Sequence, residues 1–281
     1  MEERMQDGWN TLDHLLSIEA LYTAFEKKCD KDFYFAGEMH DFWEFVYVKQ
    51  GEVGAAADDV VYKLSKAQII FHKPMEFHRL WAESGTEPEV FIMSFKMSGQ
   101  GASDLENRVF QLNYETETLL HSLISHINKA FEPSEKGGLE RKEGIEWVDF
   151  QLVANDLERL FLIILKKNSV LDTKNHTQSA RNYSLIVQQI EEHLFEPLSL
   201  NKVAELCNMS ISTVKKTFAK YGGQGVMKYI NQRKISEAVS LLQNGKNVTE
   251  VSDILAFSTQ SYFSTVFKQF TGTKPSEYMR R

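Results

Sequence analysis

Three side chains between Gly37 and Gly51 are of types that bind small polar molecules. Glu38, His40 and Glu44 stand at even spacing, in one series with Phe42, Val46 and Val48. Alternate residues of an extended strand share a face, so two carboxylates and an imidazole are expected to look into one cavity. Carboxylates accept hydrogen bonds and a neutral imidazole both donates and accepts, which suits recognition of a polar ligand. A second set lies near the carboxyl end, where Ser212, Thr213, Lys215, Lys216 and Lys220 are followed by Gln260, Ser261, Ser264, Thr265 and Lys268. Hydroxyl, amide and ammonium groups at such spacing are donors and acceptors for phosphate oxygens and base edges. No pairing of nucleophile and base, no Gly-rich phosphate loop and no Cys cluster recommends catalysis.

The elements that must position the second set come as a tandem, about 48 residues apart. Leu200, Val203, Ala204 and Cys207 fall at helical spacing, and Ser210 opens a segment with Ile211, Val214, Phe218 and Tyr221 on one side. Val248, Val251, Ser252 and Leu255 repeat the first stripe, Ser258 or Thr259 caps the next helix, and Phe263, Val266, Phe267 and Phe270 repeat the second. A short helix, a tight turn and a helix with a polar outer face make a helix-turn-helix pattern. Between the copies, Met227, Ile230, Ile235, Ala238 and Leu242 mark a helix over Val226 to Leu242 that stops at Asn244-Gly245. Its length of about 26 Å can hold two reading helices near the ~34 Å spacing of successive major-groove faces.

Charge follows the same division. The net charge is −7, but residues 181–281 carry 13 Lys and Arg against 8 Asp and Glu, +5, leaving 19 against 31, −12, for residues 1–180. A basic tail on an acidic body is compatible with nucleic acid where the average is not. Cys29 and Cys207 are the only thiols, so a disulfide scaffold is not expected and a reducing compartment is. The start Met1-Glu-Glu-Arg lacks a signal peptide's apolar run, and the apolar stretch Leu160 to Leu165 is too short to span a bilayer. The expected location is the cytoplasm.

Residues 198–281 resemble the AraC/XylS family of bacterial transcription regulators. Phe257, Ser261-Tyr262-Phe263, Phe267-Lys268, Gly272, Pro275 and Tyr278 stand at the family's spacing. The resemblance implies two helix-turn-helix units bridged by a long helix, bound to adjacent major grooves, often as a dimer. Three positions depart from the pattern: Thr265 stands where the second reading helix often has Arg, with Lys216 at the corresponding first-unit position; Lys234 replaces a usual Arg of the bridging helix; Ala256 replaces the usual Gly before Phe257. Arg grips guanine bidentately and Thr does not, so the second unit is expected to discriminate bases less than the first.

The first hundred residues change period. Phe33 to Phe35, Phe42 to Val48, Val60 to Leu64, Ile69 to Phe71 and Val90 to Phe95 read as strands, separated by turn-rich segments at Gly51 to Asp59 and Glu83 to Glu89. Such intervals suggest a small barrel or double-stranded β-helix. His40, Glu44 and Gly51, then Pro74 and His78, are similar to parts of the two cupin motifs, with Glu38 in place of an earlier motif histidine. That similarity adds His78 to Glu38, His40 and Glu44 as effector-binding residues. The four would also suit a divalent first-row ion, yet direct effector binding is the reading adopted, with no metal or cofactor assigned. His72 reads as a hydrogen-bonded or surface imidazole, and Trp43, Phe45 and Tyr47 as barrel packing.

Between the two parts, Leu119, Leu120, Leu123, Ile124, Ile127 and Phe131 form one helical stripe and Phe150, Val153, Leu157, Leu160, Phe161 and Ile164 another, nearly heptadic. They are expected to pack on their own domain and also to serve a dimer seam. The polar run from Asn168 to Asn182 reads as a linker. The expected fold is therefore α+β and multidomain: a cupin-like β-barrel at 1–110, connecting helices at 111–167, a linker at 168–182 and an all-α double helix-turn-helix domain at 183–281. The expected function is a ligand-responsive, sequence-specific transcription regulator and not an enzyme. Its expected partners are double-stranded DNA, a small polar effector such as a sugar, RNA polymerase and a second copy of the chain, with no membrane. A metal-dependent cupin enzyme with an adaptor tail, or a protein-interaction module, are the rival readings.

Overall fold

The computed structural model describes residues 14–135, 137–167 and 170–278. The Met1 to Arg4 start and Asn168 of the expected linker lie outside the described residues. The strands are β1 (Ser17–Lys28), β2 (Tyr34–Glu38), β3 (Trp43–Gln50), β4 (Glu52–Ala57), β5 (Val60–Ser65), β6 (Gln68–His72), β7 (His78–Ala82), β8 (Glu89–Ser98), β9 (Val109–Gln111), β10 (Phe131–Pro133), β11 (Leu139–Arg141) and β12 (Val170–Leu171). The helices are α1 (Tyr114–Ala130), α2 (Trp147–Lys167), α3 (Gln178–Glu192), α4 (Leu200–Leu206), α5 (Ile211–Tyr221), α6 (Val226–Gln243), α7 (Val248–Ile254), α8 (Gln260–Thr271) and α9 (Pro275–Tyr278). None of the helices among the described residues is long and apolar enough to cross a membrane.

Two antiparallel sheets form the N-terminal part, in the orders β1-β8-β3-β6-β9-β12 and β2-β7-β4-β5. Their inner faces share Val46, Val48, Val53, Ala55, Leu64, Leu80 and Val90. Strand β3 is buried at every residue from Trp43 to Val48, because both of its faces are covered. Its outward Trp43, Phe45 and Tyr47 pack in one cluster with Leu120, Leu123, Leu157, Leu160 and Phe161 of α1 and α2. The Phe161 ring lies 5.2 Å from those of both Phe71 and Phe95. The two helical stripes thus bury against their own sheet, as their periodicity implied.

The other outer face is covered too. Ala56 and Val61 of the small sheet, with Phe77 just ahead of β7, share a core with Tyr183, Ile186, Val214, Phe218, Tyr221 and Tyr229 of α3, α5 and α6. Aliphatic burial of this kind contributes roughly 1.5–3 kcal/mol per large side chain. The second unit has its own core of Ile235, Ala238, Leu242, Val251, Leu255, Phe263 and Phe267.

Four sequence expectations change. Gly51 to Asp59, expected as turn, is mostly β4: Gly54 is pressed under the Trp81 indole, where an added Cβ would sit 2.1 Å from the ring. Small residues that make room for a large neighbour carry no β-propensity signal. The strands β1 and β7 lie outside every expected run. Only part of 168–182 is a free connection, because β12 pairs with β9 and α3 begins at Gln178, capped by Thr177 accepting from the Ala180 N–H. Its inward stripe starts at Ala180, so packing begins before the polar run ends. Ile211 and Met227, expected in the cores, are 40% and 39% exposed.

Ala256 adopts φ +49°, and Asn208, 48 residues earlier, adopts φ +51°. The tandem therefore uses a left-handed residue at the same place twice, once with Asn, which tolerates it, and once with Ala, which does not. Ala256→Gly is expected to raise stability by about 1 kcal/mol, read as a higher urea midpoint with unchanged slope. A lower midpoint would contradict that conformation.

Candidate functional site

Glu38, His40, Glu44 and His78 converge, with one potential ligand atom from each lying within 4.8 Å of all the others. They do not converge for the reason expected. Glu38 ends β2 in the small sheet, His40 lies in the connection that follows, and Glu44 is on β3 in the large sheet. The single strand face imagined for residues 38–48 is broken at 39–42. The chain crosses between sheets there, and the two sheets bring the carboxylates together across the barrel.

Neighbouring groups fix each side chain. Glu44 accepts a hydrogen bond from the Ser94 hydroxyl at 2.9 Å. His40 donates Nδ1–H to the Phe42 carbonyl at 3.0 Å, and His78 donates Nδ1–H to the Glu76 carbonyl at 3.1 Å. A carbonyl only accepts, so both rings are held with Nε2 turned away from the backbone. Glu44 lies 3.3 Å from His78 Nε2 and 3.8 Å from His40 Nε2, and Glu38 lies 3.9 Å from His78 Nε2. Neither Nε2 has a hydrogen-bond partner, although both are buried.

Burial pushes the His40 imidazole down to about 4, with His78 acting in the same direction. Burial opposes ionisation of Glu44 and of His78 as well, but each offsets it for the other: Glu44 stays below the usual carboxylate range and His78 rises above the usual imidazole range. Glu38 is raised by burial and then by the Glu44 charge. Behind them His72 is buried, stacked on His78 at 4.4 Å and sharing a proton with Glu76 across 2.6 Å. The hydrogen-bonded reading of His72 therefore holds. Burial raises Glu76 to about 7.

Glu38, Glu44 and His78 form the polar floor of a cavity of about 230 Å³, walled by aromatic and aliphatic groups including Tyr22, Phe25, Phe35, Phe42 and Ile92, whereas His40 does not line it and borders a separate cleft with Gln232, Ser236 and Val239 of α6. Thr23, Lys27, Ser94 and His72 also line it, and sequence reasoning missed them. Thr23, Phe25 and Lys27 alternate along β1, so a period-two reading of residues 17–28 would have found that wall. Trp43, Phe45 and Tyr47 do not line the cavity; they face the helices.

At the other end of the molecule, none of the ten polar residues expected to face DNA is buried. Ser212, Lys215, Lys216, Lys220, Gln260, Ser261, Thr265 and Lys268 are exposed, and Thr213 and Ser264 are half-buried. Ser210 caps α5 by accepting from the Thr213 N–H, and Thr259 caps α8 by accepting from the Tyr262 N–H. Val214, Phe218, Phe263 and Phe267 anchor the opposite faces. Gln260, Ser261, Ser264, Thr265 and Lys268 line one groove with Lys274 and Ser276. Lys234 is not a surface replacement for an arginine. It is buried, and its ammonium donates to the Glu196 carbonyl at 2.9 Å and the Leu255 carbonyl at 2.6 Å, tying the two units across α6.

Residues 21–132 match the family described as AraC-like ligand binding domain, and residues 203–281 match that described as Helix-turn-helix domain. The chain is 29% identical over 133 residues to the HTH-type transcriptional activator RhaS of Escherichia fergusonii, a match covering 46% of this chain and 47%, about half, of that protein. It is 22% identical over 262 residues to the Msm operon regulatory protein of Streptococcus mutans, covering 90% of each. Among solved structures it is similar to ToxT from Vibrio cholerae, at 15% identity and a TM-score of 0.36, covering 92% of this chain and 97% of that one.

Proposed function

The chain belongs to the AraC family of transcriptional regulators, with a ligand-binding domain ahead of a helix-turn-helix DNA-binding domain, and from that premise we propose that a polar small molecule in the barrel cavity controls how the two units engage DNA. One observation carries the reading. Two of the strands that carry the cavity's polar floor, β2 and β7, belong to the sheet on which the first unit rests. β7 presents His78 to the cavity, and three positions later Trp81 stands 6.0 Å from the Tyr221 ring at the end of α5. β2 ends at Glu38 and, two residues earlier, its Ala36 backbone meets Gly223, just beyond α5. A ligand that binds one arrangement of these strands better shifts the population of arrangements of the unit behind them.

The pocket suits a ligand with hydroxyl groups and an apolar face, such as a sugar. Glu38 and Glu44 accept, Lys27 donates, and the aromatic wall takes carbon–hydrogen faces. Ser212, Thr213, Lys216, Ser261 and Thr265 are assigned to bases, and Lys215, Lys220 and Lys268 to phosphates, with Gln260 and Ser264 at the edge of the same groove. A second copy of the chain and RNA polymerase complete the proposed partners, with the cytoplasm as the site of action. Exposed Trp147, Val148, Leu152 and Leu162 on α2 support the dimer. The barrel is proposed to hold its ligand without turning it over.

Lys216→Ala is expected to reduce discrimination between the operator and altered duplexes by ~1–3 kcal/mol. Lys268→Ala is expected to weaken all duplexes alike and flatten the salt slope by about one. Fluorescence anisotropy with specific and random duplexes at several salt concentrations checks both. Identical behaviour of the two variants would refute the assignment.

A further inference from the structure

We propose that Lys234 sets the angle between the two reading helices, α5 and α8, and so fixes the half-site spacing that the chain accepts in DNA. The residue stands at a seam. Tyr229 and Ile230 of α6 belong to the core of the first unit, and Ile235, Ala238 and Leu242 to the core of the second. Each unit therefore packs on its own half of one helix, and either could roll about that helix without opening its own core. Lys234 lies between the two halves and is buried. Its ammonium donates to the carbonyl of Glu196, in the connection from α3 to α4, and to that of Leu255, the C-cap of α7. One nitrogen thus holds a backbone oxygen of each unit.

The chemistry is that of a tie and not of a filler. A lysine ordinarily carries its ammonium out to water, and burial lowers the pKa of this one from 10.5 to about 8. An apolar chain would fill the same space without that cost, whereas only a donor can bind two acceptors that belong to different units. Both acceptors are backbone, so no rotamer change releases them. The Leu255 carbonyl stands where a helix end leaves oxygens without partners of their own, directly ahead of the turn that aims α8. The ammonium also lies 5.6 Å from the centre of the Phe257 ring in that turn. A second link, from the Asn231 amide to the Tyr262 hydroxyl at 3.2 Å, is exposed, and water competes for it.

Half-site spacing is where such a tie acts. One base pair moves a half-site by about 3.4 Å along the duplex and turns it by about 35°. Two reading helices held at a fixed angle do not follow that turn, and two that roll on α6 do. Loosening the tie also lowers the effective concentration of the second unit once the first is bound. This step rests on α5 and α8 being the reading helices.

The test uses duplexes that the full wild-type chain selects from a random-sequence library, with one base pair inserted or removed between the half-sites. Wild type is expected to lose roughly tenfold in affinity on either change. Lys234→Met is expected to bind the unaltered duplex about tenfold more weakly, the altered ones within roughly threefold of that, and each isolated half-site as wild type does. Lys234→Arg, which keeps a cation with several donors, is expected to restore the spacing preference. Spin labels at exposed Ala219→Cys of α5 and Gln269→Cys of α8 read the angle without DNA, since both native thiols are buried. They should give one narrow distance distribution in wild type and a clearly broader one in Lys234→Met. If Lys234→Met does not fold, Lys234→Gln, whose tip is one bond shorter, takes its place. An unchanged spacing preference in the folded variant, or an equal loss on half-sites and whole duplexes, overturns the role of Lys234. Failure of wild type to bind either half-site would instead remove the reading-helix assignment, and the label distances would still decide the tie.

Discussion

Gly223→Ala is expected to push the barrel off the first helix-turn-helix unit. Gly223 adopts φ +67°, and a Cβ there would lie 1.8 Å from the Ala36 carbonyl oxygen and 2.8 Å from its carbon. Both obstacles are backbone of β2, so no side-chain rotation relieves them. The left-handed conformation adds about 1 kcal/mol for Ala, and the overpacking about 1–3 kcal/mol more. Gly225→Ala is the control, because a Cβ there meets nothing within 4 Å. Only the Gly223 variant should melt several degrees lower and exchange backbone amides faster along β2 and α3. Its DNA affinity should also become insensitive to the barrel's ligand. Wild-type melting and exchange in Gly223→Ala would show that the close approach does not exist in solution.

Asp58→Asn is expected to strengthen the same interface at neutral pH. The Asp58 carboxylate accepts from the Phe77 N–H at 3.0 Å, and its backbone has φ +45°, which Asn tolerates. Burial first, then the Glu76 charge, raises its pKa from 3.8 to about 6, against the pull of Arg233. That arginine grips Glu191 of α3 at 2.7 and 3.0 Å. Because the folded value exceeds the unfolded one, the contribution of the protonated form is fully present below about pH 4 and is lost as pH rises through about 6. At pH 7.5 the chain then carries a half-buried, ionised Asp58. Asn keeps the acceptor and removes the charge, so the variant should be more stable by about 2 kcal/mol at pH 7.5, with the difference vanishing near pH 4. Urea unfolding at the two pH values reads this directly, and an equal difference at both would refute the cause.

Much of this was legible in the residues. The tandem stripes placed α4, α5, α7 and α8 because helices that bury one face repeat at 3.6 residues wherever they pack. The capping Ser210 and Thr259 were visible because an N-cap is a local contact. The hydroxyl and lysine faces of α5 and α8 followed by subtraction from the apolar stripes. The four residues singled out in the barrel do lie close together, though the geometry offered for them was not the one that holds: a chain crossing between sheets does not announce itself in a period of two. Strand β4 was missed because Gly54 and three alanines mark where Trp81 presses, and a neighbour 27 residues away leaves no local signature.

The sequence by itself determined the periodic elements, their caps, the division of charge and the family, since all of these depend on residues within a few turns of one another. Only the tertiary structure decided that Lys234 is a buried tie, that Ala36 abuts Gly223, that Asp58 lies beside the Arg233–Glu191 pair, and that the His40 and His78 rings meet edge to face at 4.8 Å. Those facts depend on which distant segments share a surface, and burial of an ionisable or unpaired group is a property of that surface and not of the residue.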